Sequence, residues 1–81
     1  MGKLEKLTKT SDAKIQEWLR KIDPDDLKKA LLIVDKEVRD RVYRNMSPRA
    51  VGVLQEYIGG EHTIQERRSA EDSIKRLEKI L

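Results

Sequence analysis

Helix stops and starts recur so often along this chain that no long element can form. Ser11 or Asp12, Asp23-Pro24, Asp35, Ser47-Pro48 and Thr63 each open a segment with a side chain able to accept a bond from a free backbone N–H. Pro24 and Pro48 suit the first helical position, where no N–H is needed, and Asp25 and Asp26 favour the positive end of the helix that follows. Between the caps lie apolar stripes at helical spacing. Ile15, Trp18, Leu19 and Ile22 form the first, and Leu27, Ala30, Leu31 and Val34 the second. Val38 and Val42 mark a third helix that Asn45 can end, because Asn tolerates the left-handed conformation used at helix C-termini. Ala50, Leu54, Tyr57 and Ile58 form a fourth stripe, closed by Gly59-Gly60. Thr63 and Glu66 spell a capping box and open a last helix with Ala70, Ile74, Leu77 and Leu81 on one face.

No segment alternates with period two, and no Asn-Gly or Asp-Gly hairpin signal is present. The prediction is an all-α fold: a compact, right-handed superhelix of five or six short helices, armadillo-like. Residues 1–10 are a basic tail or a short helix carrying Leu4 and Leu7. Residues 11–81 form a single helical domain.

Charged residues make up 41% and hydrophobic ones 37% of the 81, which suits helices with narrow buried stripes. Without Phe, the core is aliphatic around Trp18, Tyr43 and Tyr57. No cysteine means no disulfide and no thiolate metal site, in keeping with a reducing compartment. No apolar run approaches the roughly 20 residues that span a bilayer, and the N-terminus lacks a secretory core, so a cytoplasmic protein is expected. The net charge of +3 is mostly carried by residues 1–10, where three lysines outnumber one glutamate. The nearly neutral remainder argues against nucleic-acid binding, which concentrates basic charge on one face.

Catalysis has little foundation in the sequence. His62, the sole histidine, reads as a solvated loop residue with no evident nucleophile beside it. Asp23, Asp25 and Asp26 read as a helix start and not as a metal site, since no calcium-loop pattern follows. Gly59-Gly60 precedes no phosphate-loop lysine. No enzyme activity and no cofactor are expected. The basic residues of the last helix alternate with acids, as on a solvated face with i, i+4 pairs.

One charge lacks a local reason. Arg49 sits in the first turn of the fourth helix, where a cation gains nothing from the macrodipole. Glu56 lies seven residues on, about 20° around and about 10.5 Å along the axis, with Val53 and Gly52 between or beside them. The two charges are either a solvated pair or a docking face for complementary charges. Leu32 falls about 120–140° from the second stripe, beside Lys28, and Ile33 also leaves it. The end of that helix is therefore buried all round or bears an exposed apolar contact.

The string Ile15-Gln16-Glu17-Trp18-Leu19-Arg20-Lys21-Ile22-Asp23, then Asp26-Leu27 and Ala30-Leu31, then Asn45-Met46-Ser47-Pro48-Arg49-Ala50, resembles the C-terminal domain of the flagellar motor switch protein FliG. The similarity keeps register from about Leu4 to Ile58 and resumes near Ala70-Glu71-Asp72-Ser73-Ile74. The resemblance implies an all-helical, non-enzymatic part of the cytoplasmic rotor ring, at the cytoplasmic face of the flagellar basal body. It implies protein partners: other switch proteins, and a cytoplasmic loop of the stator protein MotA engaged by charges on one helix.

Residue by residue, the resemblance implies that Arg49 is a rotor charge and Glu56 the first of an adjacent acidic pair. Tyr57 occupies the second acidic position. Leu32 stands where the family carries Lys, Ile33 where it carries Gly, and Gln65 near an expected Arg. The loop from Gly59 to Gln65 lacks the family's Gly-Pro-Val-Arg element. The partner-binding candidates are thus Arg49, Glu56, Leu32 and Gln65. A helical adaptor using apolar surface around Leu32 and Ile33 is the alternative. Either an excised domain or a short stand-alone relative fits the sequence.

Overall fold

A computed structural model describes residues 3–81. Its described residues form six helices and no strand. A 3-10 helix, Lys3–Lys9, is followed by α1 (Asp12–Lys21), α2 (Pro24–Ala30), α3 (Lys36–Arg44), α4 (Pro48–Gly59) and α5 (Ile64–Ile80).

The corners follow from capping chemistry. Ser11 accepts from Lys14 N, Ser47 from Ala50 N and Thr63 from Glu66 N, at 3.1–3.3 Å. Asp23 caps α2 by accepting from Asp25 N at 2.9 Å, with Pro24 beginning the helix. Asp35 has extended cap backbone but makes no side-chain cap bond. It opens α3 by conformation and charge.

One expected boundary and one expected mode of helix termination change. The second helix ends at Ala30, and the next residues tighten into a turn in which Leu32 N donates to Lys29 O and Ile33 N to Ala30 O, both at 3.2 Å. The wheel angle assigned to Leu32 and Ile33 therefore has no helix to refer to. Both side chains are half-buried. Asn45 ends α3, but not through the left-handed conformation: its φ is −101°, and no described residue has positive φ. Its side chain ties helices instead. Nδ2 donates to Arg41 O at 3.0 Å and to Asp12 Oδ1 at 3.1 Å, while Oδ1 accepts from Gln16 at 3.2 Å. That satisfies a terminal carbonyl and pins the corner to α1.

The core joins Leu4 and Leu7 of the 3-10 helix to Ile15, Trp18, Ile22, Leu27, Leu31, Val42, Leu54 and Leu77. Leu7 and Ile15 are completely buried, so the N-terminal segment is part of this core. The long α5 supplies one wall, packed along α2 and touching the 3-10 helix, which also packs on α3. Trp18 Nε1 donates to Leu77 O at 3.1 Å across the interior. The helix-capping N–H of Leu81 turns to Glu78 O, so the indole serves a carbonyl in the last turn of α5. On α5 the buried face is Ala70, Ser73 and Leu77, with Ile74 partly buried, while Leu81 is exposed.

Candidate protein-docking face

Leu54 anchors α4 to the core, with Ala50, Tyr57 and Ile58 half-buried beside it. That orientation turns the opposite side of the helix outward. Arg49, Val53 and Glu56, spaced i, i+4, i+7, are all exposed. Neither the Arg49 nor the Glu56 side chain makes a hydrogen bond or ion pair among the described residues. Val53, at 61%, is one of the most exposed large hydrophobics described. Gly52 lies on the same helix with no atom within 4 Å of where a Cβ would stand. The charged pair therefore has an apolar centre. The i, i+4, i+7 spacing held this signal, although the sequence reading gave Val53 no role.

The other candidate residues lie apart from this pair. Gln65 is exposed on the first turn of α5, and Leu32 is half-buried in the turn after α2. Neither forms a hydrogen bond with Arg49 or Glu56. Among the described residues the exposed large hydrophobic side chains are Val53, Ile64, Ile80 and Leu81, not Leu32 or Ile33.

Tyr57 is drawn away from the face. Its ring lies 4.5 Å beneath Lys28 Nζ and 4.7 Å from the His62 ring, with a tilt of 53°. His62 is no solvated loop residue, as its side chain is only 5% exposed. Nε2 donates to Tyr57 O at 2.6 Å, and Nδ1 lies 2.9 Å from Glu66 Oε2. The His62 ring holds the Glu66 carboxyl below its ordinary range, helped by the Thr63 backbone N–H and the Tyr57 hydroxyl. Burial, with Glu66 nearby, pushes the Tyr57 hydroxyl up. Histidine and tyrosine thus lock the corner between α4 and α5. Sequence spacing alone did not reveal this, because the loop had no periodicity to interpret.

A second feature adjoins the N-terminus of α4. Leu19, Ile22, Met46 and Ala50, with Gln16 and Arg20 at the edge, line a surface groove of about 390 Å³ between α1 and the α3–α4 corner. No group of His, Cys, Asp and Glu among the described residues could hold a metal ion. No described helix is long and apolar enough to cross a membrane.

The model of the FliG C-terminal domain family matches residues 1–79. The flagellar motor switch protein FliG of Borreliella burgdorferi is 47% identical over 45 residues, which are 56% of this chain and 13% of that protein. The chain therefore corresponds to a small part of that relative's length. No solved structure matches it. With the family model covering nearly the whole chain, and the Asn45-to-Ala50 corner, α4 and α5 arranged as described, the chain belongs to the FliG C-terminal domain family.

Proposed function

We propose that this chain is a rotor-side interaction domain of the bacterial flagellar motor, working in motility at the cytoplasmic face of the basal body beside other switch proteins. In this reading Arg49 and Glu56 dock a cytoplasmic loop of the stator protein MotA. The observation that carries it is the exposed, unpaired Arg49 and Glu56, held two turns apart on one rigid helix with Val53 between them. Unpaired charges on a fixed face steer a complementary partner and set its register. Gln65, on the adjoining turn of α5, is assigned to the margin of the contact. With Tyr57 turned inward, the face presents one acid where the family presents two. The association is therefore expected to be weak and to weaken further with salt.

An NMR titration of the labelled domain with a MotA cytoplasmic-loop peptide tests the reading. Shifts should map to Arg49, Val53 and Glu56, and Arg49→Glu should abolish them. Shifts absent from that face at saturating peptide would overturn it. The adaptor alternative has less support, because Leu32 and Ile33 are half-buried.

A further inference from the structure

We infer that the groove between α1 and the α3–α4 corner is a second docking site, for an acidic amphipathic helix of a protein partner. It is a different surface from the Arg49–Val53–Glu56 face, and the inference does not depend on the stator reading. Its floor is apolar, formed by Leu19, Ile22, Met46 and Ala50. Its volume of about 390 Å³ suits one or two large aliphatic side chains.

Charge selects the occupant. Among the lining residues the sole charged side chain is Arg20, which is exposed and has no hydrogen bond or ion pair among the described residues. The N-terminus of α4 opens at the same groove through Ser47 and Ala50. This twelve-residue helix is capped by the neutral Ser47 hydroxyl and has no acid in its first turn, so no carboxylate there offsets its positive end. Two acids flank the lining Pro24 in sequence, Asp23, which is engaged in capping α2, and Asp25, and neither lines the groove. Apolar floor and positive rim fit a helix presenting a leucine with carboxylates one turn to either side.

The test uses the full chain and three synthetic helical peptides. The first is amphipathic, with Leu on one face and Glu on the other; the second replaces Glu by Lys; the third replaces Leu by Ser. Binding is followed by heteronuclear NMR. The acidic Leu peptide should shift Leu19, Ile22, Met46 and Ala50, and the other two peptides should not. Arg20→Glu, which alters an exposed side chain, should weaken binding about tenfold, whereas Lys75→Glu on the exposed side of α5 should leave it unchanged. Equal binding of the Lys peptide, or equal loss in both variants, would overturn the inference. So would shifts confined to Val53 and Glu56, which would assign the peptide to the other face. Shifts at the groove on concentrating the protein alone would assign it to a second copy and also overturn it.

Discussion

The Asp26 carboxylate on α2 receives Arg76 of α5 through two nitrogens, Nε at 3.0 Å and Nη2 at 2.7 Å, across fifty residues of chain. Asp26 is the more sheltered partner, with 15% of its side chain exposed against 55% for Arg76. The fully buried Ser73 donates to the same carboxylate at 3.1 Å. The contact therefore joins the two helices that pack most extensively, and it fixes α5 along α2.

Replacing Asp26 with Ala should cost about 1–3 kcal/mol in urea unfolding. The loss combines charge-assisted bonds with a buried Ser73 hydroxyl left without its acceptor. Ser73→Ala with Asp26 intact should cost less, because the Arg76 fork remains. Equal costs for the two variants would contradict this ranking.

Acid should weaken the fold through these carboxylates. Bonds from Arg76, then Ser73, hold Asp26 below its ordinary 3.8, and His62 does the same for Glu66. A carboxyl lowered in the folded state contributes stability above its unfolded pKa and loses it as pH falls through the folded one. Thermal melts should therefore decline as pH drops through about 4 and below. Asp26→Asn should flatten that decline while lowering stability at neutral pH.

Trp18→Phe should destabilise the chain by about 1–3 kcal/mol, from the lost bond to Leu77 O and a smaller ring in the core. Circular dichroism is the appropriate readout, since Trp18 is the sole tryptophan and the variant is silent in indole fluorescence. Hydrogen exchange should accelerate in the last turn of α5, where the freed carbonyl lies.

Asn45→Ala and Asn45→Gly distinguish two ways of ending a helix. If a left-handed residue closed α3, Gly would preserve stability. With φ at −101° and the side chain tied to Asp12, Gln16 and Arg41, both variants should lose about 1–2 kcal/mol, and Gly should be no better than Ala. Chemical denaturation of the three proteins settles the order.

Gly52→Ala should stabilise the domain by about 0.5–1 kcal/mol. The glycine is mid-helix in α4 without positive φ, and a Cβ meets nothing within 4 Å. A gain in thermal midpoint without loss of NMR dispersion checks it.

Local chemistry was legible in the sequence. Ser11, Asp23, Ser47 and Thr63 each cap through a backbone N–H two or three residues on, and such bonds depend on little beyond neighbouring residues. The stripes through Ile15, Leu27, Val42 and Leu77 likewise followed from helical periodicity, as did the all-helical class. The shared face of Arg49 and Glu56 was readable for the same reason. Tertiary packing decided the rest. Whether α2 stopped at Ala30 depended on the tighter turn through Leu32 and Ile33, and the burial of Leu7 depended on where α3 and α5 lay. Asn45 was committed to Asp12, His62 to Tyr57 and Glu66, and Asp26 to Arg76 by helix positions that no local pattern encodes. The balance has a physical reason: caps and stripes are set within one or two turns, whereas a buried polar group takes the partner that packing delivers.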